Sequence, residues 1–248
     1  QLGLVTLETD LTIETELHHF IGDAHFVTNT GVDTRWSYPT IMHTRIACDD
    51  QVTKENLTAM KLRFSDALAL FPPFHRFDVI GYGCTSASLL IGEDTINSIV
   101  KSRVKVDHVT TPLTGARRAL ACIGAKNIIY IAPYLSEISE TMCQKFEEYG
   151  FRIVGAGTFG EEKDSIVGQI SPQSIKDAIL QLISSCSDSV DAIFVACTSM
   201  KCAPIINEVE QELGVSVISS NSAISWDMAR LSGLKFSKKQ KGALFKQN

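Results

Sequence analysis

A nine-residue phrase occurs twice in this chain. Residues 78–86 read DVIGYGCTS and residues 191–199 read DAIFVACTS. Each is an apolar run of strand length, preceded by Asp, ended by Cys-Thr-Ser and followed by a helix-like stretch. The register continues downstream, where Val106–Pro112 (VDHVTTP) aligns with Val215–Asn221 (VSVISSN). A duplicated strand–cysteine–helix unit points to two related halves facing one another, with Cys84 and Cys197 opposed across a cleft.

Strand-like and helix-like stretches alternate through both halves. The expected strands are Leu4–Leu7, Ala24–Thr28, Ile41–Arg45, Val79–Tyr82, Ile128–Ala132, Phe151–Ala156, Ile193–Ala196 and Val215–Ser219. Apolar residues at helical spacing and cap residues predict a helix from the Asp10 and Thr12 caps to Phe20. Further helices are predicted over Thr53–Leu70, Ser88–Lys101, Leu113–Ile123, Ser136–Tyr149, Ser171–Ser185, Ala203–Leu213 and Ser222–Leu231. Short apolar strands separated by helices imply parallel sheets covered on both faces. The expected fold is therefore α/β, with two pseudo-symmetric lobes, each a parallel sheet flanked by helices, and the active site in the cleft between them. Residues 1–112 with 220–248 form the first lobe and residues 113–219 the second. Ligands of such sheets sit at the carboxyl ends of the strands, and both Cys-Thr-Ser segments lie there.

Composition narrows the partners. A chain of 248 residues that is 44% apolar and 21% charged has the balance of a globular protein. The net charge of −5 argues against a nucleic-acid partner, which would select a basic surface. The basic residues Lys235, Lys238, Lys239, Lys241 and Lys246 read as a solvated tail. No run approaches the roughly 20 apolar residues of a membrane span, so no membrane partner is expected. Seven cysteines, odd in number and irregular in spacing, read as reduced thiols in a reducing compartment, taken here as the cytoplasm. With no CxxC, HExxH, GxGxxG or P-loop sequence, neither a metal nor a cofactor is expected.

A thiol becomes a base or nucleophile when it loses its proton, and a helix N-terminus favours that loss. The Thr and Ser after each cysteine can hold a carboxylate with hydroxyl and amide groups. Two such units would bind a small carboxylate and present a sulfur to each side of one carbon. The other cysteines have no matched partner and read as structural. On this reading Cys84 or Cys197 alkylates near neutral pH faster than Cys122 or Cys186. The histidines His18, His19, His25 and His43 supply no comparable arrangement.

Several segments together carry a family resemblance: GLVTLETDLTIETEL at the start, then DVIGYGCTS, TTPLTGARRAL, IAPY, SPQSI, CTSMKCAPII and SSNSAISWDMARLSG. In order and spacing they resemble the aspartate/glutamate racemase superfamily, in the branch of maleate cis-trans isomerase, arylmalonate decarboxylase and the ectoine-utilisation protein A group. The resemblance covers nearly the whole chain. It implies a cofactor-independent enzyme acting on a small carboxylic acid, and relatives imply a homo-oligomer. It also implies that Cys84 and Cys197 are the catalytic pair. Thr85, Ser86, Tyr134 and Thr198 match positions that cradle a carboxylate. Asn221 lines the cleft or caps a helix. Decarboxylases of the branch keep only the second cysteine, so Cys84 speaks for an isomerase. Asp10 stands where maleate isomerases have asparagine; it binds an ammonium or amide nitrogen, acts as a base, or caps the first helix. The alternatives are an arylmalonate-type decarboxylation through Cys197 and a non-catalytic carboxylate-binding protein. The loops Thr30–Pro39 and Thr158–Ile170 are expected to form the outer wall that selects the substrate.

Overall fold

A computed structural model describes residues 1–26, 39–236 and 241–247. Two four-stranded parallel sheets form its centre. The first contains β1 (Leu2–Leu7), β3 (Ile41–Ile46), β4 (Arg76–Gly83) and β5 (Lys105–Thr110) in the order β3-β1-β4-β5. The second contains β6 (Asn127–Ala132), β7 (Arg152–Thr158), β8 (Ala192–Val195) and β9 (Ser216–Ser219) in the order β7-β6-β8-β9. Each sheet therefore runs second–first–third–fourth along the chain, and the third strand of each is the one that carries the repeated phrase. A two-stranded ribbon of β2 (His25–Phe26) and β10 (Leu234–Lys235) lies apart. The central strands are short and buried on both faces: every residue of β1 and β8 is buried, as the interior of a covered parallel sheet requires.

The helices are α1 (Ile13–Ile21), α2 (Lys54–Leu68), α3 (Thr85–Ile91), α4 (Glu93–Arg103), α5 (Pro112–Cys122), α6 (Ser136–Glu148), α7 (Asp164–Val167), α8 (Pro172–Ser185), α9 (Ala203–Leu213) and α10 (Ser220–Leu231). The predicted elements recur with ends shifted by a few residues, with two departures. The helix expected over Ser88–Lys101 is two helices, broken at Gly92, whose φ of +88° no β-carbon tolerates well. Within the expected loop Thr158–Ile170 lies the short α7. The other expected outer wall, Thr30–Pro39, falls almost wholly outside the described residues.

Helices α5 and α10 pack closely on one another. A β-carbon on Gly115 would meet the Ala223 carbonyl oxygen at 2.6 Å, so glycine is needed for this approach. Beneath them Asp227, fully buried, accepts hydrogen bonds from Thr110 and Arg118, both at 2.6 Å, and pairs with Arg230. Burying a carboxylate is costly without such partners. The basic tail differs from its reading as solvated. Lys241 is buried, and its ammonium donates to the Phe20 carbonyl and to Asp23. It fixes the chain end against α1. Lys235 and Lys246 are exposed, while Lys238 and Lys239 lie outside the described residues. No described helix is long and apolar enough to cross a membrane.

Candidate active site

The two repeats meet at one small cavity. It is lined by Cys84, Thr85, Ser86, Tyr134, Cys197 and Thr198, together with Thr9, Cys48 and Asp164. Cys84 follows β4 and Cys197 follows β8, so equivalent strands of the two sheets deliver the two sulfurs to the same space. Each sheet also reverses its winding beside these strands, the place where α/β sheets open a crevice.

Similar sequence does not give the two cysteines similar backbones. Cys84 is the N-cap of α3, and its sulfur accepts from the Ala87 amide at 3.4 Å. Cys197 is followed by turns, and the next helix, α9, begins only at Ala203. Support from a following helix therefore reaches Cys84 and not Cys197, contrary to the sequence reading. Cys197 instead has a φ of +90°, unique to it among the described residues that are not glycine. Such a conformation costs on the order of 1–3 kcal/mol and persists only when its surroundings enforce it. Its amide donates to the Ser220 hydroxyl at 3.0 Å, and the Ser220 oxygen also accepts from Thr85 at 2.7 Å. Ser220 thus ties the two repeats together, a role that its serine-rich surroundings in the sequence conceal.

The electrostatics of the closed cavity favour thiols. Burial pushes the Cys84 thiol up to about 12, against smaller lowering effects from the Ala87 amide and Ser86 hydroxyl. Burial raises the Cys197 thiol as well, and the negative charge of Asp164 adds to it. Both cysteines are buried, whereas Cys122 is exposed. Burial therefore opposes the fast alkylation of Cys84 or Cys197 expected from the sequence, because it outweighs the helix end.

Of the six binding residues expected from the sequence, four line the cavity and two stand behind it. Thr85, Ser86, Tyr134 and Thr198 are in the wall. Tyr134 is 2% exposed, neighbours Cys197, and its hydroxyl has no hydrogen-bond partner. Asp10 is fully buried and caps α1, its Oδ1 accepting from the Thr12 and Ile13 amides at 2.8 and 2.9 Å. Its Oδ2 lacks a partner, because the nearby Thr198 hydroxyl points to the Gly83 carbonyl at 3.4 Å. Burial raises the Asp10 pKa. The Asn221 amide nitrogen donates to the Thr198 carbonyl at 2.8 Å and to Glu16 at 2.9 Å. Asn221 therefore sets the Thr198 backbone from behind, and it lies in the first turn of α10 rather than capping it; Ser219 is the cap.

Three wall residues were not singled out from the sequence. Cys48 places a third sulfur at the cavity, 3.4 Å from the Thr9 hydroxyl. Thr9 donates to Asp164 at 2.5 Å, and Ser199 donates to the other Asp164 oxygen at 2.8 Å. Asp164 opens α7 and is 5% exposed. Nothing in the sequence near residue 164 resembles a motif; only the long connection after β7 marked the region. The same connection closes the cavity, since Gln51 bridges Lys163, the Val52 amide donates to the Glu162 carbonyl at 2.7 Å, and the Asp164 amide donates to the Asp50 carbonyl at 2.9 Å. Among the described residues no cluster of His, Cys, Asp or Glu has the arrangement of a metal site.

The sequence model describing arylmalonate decarboxylase matches residues 76–245, a span that includes both repeats. The chain belongs to the arylmalonate decarboxylase family. Maleate isomerase of Geobacillus stearothermophilus is 25% identical over 194 residues, covering 74% of this chain and 75% of that protein. Arylmalonate decarboxylase of Bordetella bronchiseptica is 26% identical over 124 residues, covering 50% of this chain and 51% of that one. Among solved structures, a cysteine-to-serine variant of Nocardia farcinica maleate cis-trans isomerase with a covalently bound succinylcysteine intermediate superposes with a TM-score of 0.83. It is 21% identical and covers 100% of this chain and 98% of that one. At this identity the likeness establishes the fold, an arylmalonate decarboxylase family fold shared with isomerases.

Proposed function

We propose that this protein is a cofactor-independent isomerase of a small carboxylic acid, a racemase or cis-trans isomerase, in which Cys84 and Cys197 are the reacting pair. The observation that carries the reading is the delivery of both sulfurs, by equivalent strands of two sheets, to one enclosed cavity. In the racemase form, one sulfur as thiolate takes the α-proton and the other, as thiol, returns a proton to the opposite face. The two exchange protonation states and the cycle closes without a cofactor. In the cis-trans form, a thiolate adds to the alkene, the resulting single bond rotates, and elimination returns the thiolate. The succinylcysteine held by the Nocardia farcinica isomerase variant supports a nucleophilic sulfur on this scaffold.

The hydroxyls of Ser86, Tyr134 and Thr198 hold the carboxylate and stabilise the charge that develops on it, a preorganised role that suits a site closed to water. The unpartnered Tyr134 hydroxyl is suited to a ligand oxygen, since a buried polar group lacking a partner is costly. Burial opposes the thiolate that either chemistry needs, so ionisation of one cysteine accompanies substrate binding.

Proton NMR in D2O with a panel of chiral acids and maleate tests the reading. Loss of an α-proton signal, or conversion of maleate to fumarate, is expected with the wild type. Replacement of either sulfur, Cys84→Ser or Cys197→Ser, should lower the rate by at least about a thousandfold. Persistence of activity in both variants would refute the two-sulfur reading, and activity surviving only in Cys84→Ser would favour a decarboxylase-like use of Cys197.

A further inference from the structure

The charge inside the cavity has one sign. Among the described residues its wall carries two carboxylates, Asp49 and Asp164, and no Lys, Arg or His. Asp49 is exposed and pairs with Arg63 at 3.6 Å. Asp164 is buried, and among the described residues no cation pairs with it; hydroxyls of Thr9 and Ser199 are its side-chain partners. A buried carboxylate held by two neutral donors is an incomplete arrangement, because burial of a charge calls for a counter-charge. The unpartnered, 2% exposed hydroxyl of Tyr134 in the same wall independently marks the space as built for a polar ligand. Fully buried Asp10, with Oδ2 unpartnered, adds a further acidic group close behind.

We propose that Asp164 is the specificity residue of this site and that the substrate is a small carboxylic acid bearing a protonated amine, whose ammonium pairs with Asp164. The inference rests on the cavity being the substrate site, as in the reading above. The ammonium sits on the reacting carbon or its neighbour, since Asp164 lines the same small cavity as both sulfurs. Tyr134, Ser86 and Thr198 then face the carboxylate while Asp164 faces the nitrogen, so neutral donors and a carboxylate in one cavity distinguish the two ends of a zwitterion. A plain dianion such as maleate would bring two negative charges to a wall whose described residues offer it one buried carboxylate and no cation, which like-charge repulsion opposes. The ammonium would also offset the Asp164 charge, which adds to burial in keeping Cys197 protonated, so the correct substrate itself favours the thiolate.

Calorimetric titration of the whole protein with matched acids tests this. The pairs are 2-aminobutyrate against 2-hydroxybutyrate, 3-aminobutyrate against 3-hydroxybutyrate, and aspartate against malate, with maleate as the dianion. The wild type is expected to prefer the amine of at least one pair by at least about a hundredfold, since a site built for a polar partner rejects an analogue lacking it by up to about 10⁴–10⁵. In Asp164→Asn that preference should fall to about one. Equal or tighter binding of the hydroxy acids or maleate by the wild type would overturn the proposal, as would binding of no amine or a preference that survives Asp164→Asn. The wild-type ratio decides even if a variant fails to fold. Amine binding without proton exchange would retain Asp164 as the anchor and refute the isomerase reading; maleate turnover indifferent to Asp164→Asn would do the reverse.

Discussion

The Ser220 hydroxyl accepts the amide proton of Cys197 at 3.0 Å. Ser220 begins α10, so a helix that packs against the first sheet holds a cysteine delivered by the second. With Thr85 donating to the same oxygen at 2.7 Å, one buried hydroxyl joins both Cys-Thr-Ser segments. It is also the contact that secures the left-handed backbone of Cys197.

Removing that oxygen separates positioning from folding. Ser220→Ala leaves the Cys197 amide and the Thr85 hydroxyl without their acceptor, at a cost of about 1–3 kcal/mol. Melting should show a folded protein of lower stability, and turnover should fall by about tenfold or more with little change in KM. Unaltered turnover would mean that Cys197 keeps its place without Ser220.

The strain at Cys197 predicts an ordering of variants. At a φ of +90° glycine is accommodated and alanine is not, so Cys197→Gly should be more stable than Cys197→Ala by about 1 kcal/mol. At an ordinary helix or strand position the order would be opposite. Denaturant melts of the two inactive variants decide the matter, and equal midpoints would show that Cys197 carries no such strain.

Glu16 sets a pH dependence of stability. It is buried, and burial raises its pKa from the ordinary 4.5 to about 7, against hydrogen bonds from the Ala203 amide and Asn221. Between these values the folded protein keeps a proton that the unfolded chain releases. This group's contribution is therefore most favourable below about pH 4.5, declines as pH rises to about 7, and is level above that. The full change is about 3 kcal/mol at most. Glu16→Gln cannot ionise, so the stability of the wild type relative to it should decline between pH 5 and 7.5. A constant difference across that range would show that Glu16 titrates normally.

The two parallel sheets and the meeting of Cys84 with Cys197 at one cavity were legible because they rest on repeated local signals: an apolar run, an Asp before it, a Cys-Thr-Ser after it. The backbone of Cys197 was not, since the two phrases share their last three residues and yet only Cys84 caps a helix. The difference lies in Ser220, a residue 23 positions away, whose contact no local pattern encodes. Asp164 was hidden for a related reason. Its neighbours in sequence are ordinary loop residues, and its meaning comes from Thr9 and Ser199, both distant along the chain. Burial likewise reversed the expected acidity of the thiols, because depth in a fold is a property of the assembled halves and not of a helix end.

The strap over the cavity yields a last test. The free space inside is about 20 Å³, room for about one water and too little for a four-carbon acid. The contact between residues 50–52 and 162–165 borders the cavity, and substrate entry is expected to open it. Asp50 contributes most directly: its carboxylate accepts from the Ser165 amide and hydroxyl, both at 2.8 Å. Asp50→Ala removes a cap worth about 1 kcal/mol and should raise the open population by roughly fivefold. With iodoacetamide and peptide mapping, the empty wild type should label at exposed Cys122 well before Cys84 or Cys197. In Asp50→Ala the two buried cysteines should label several-fold sooner while Cys122 is unchanged. If Cys84 and Cys197 react as fast as Cys122 in the wild type, the cavity is open in solution and the strap does not guard it.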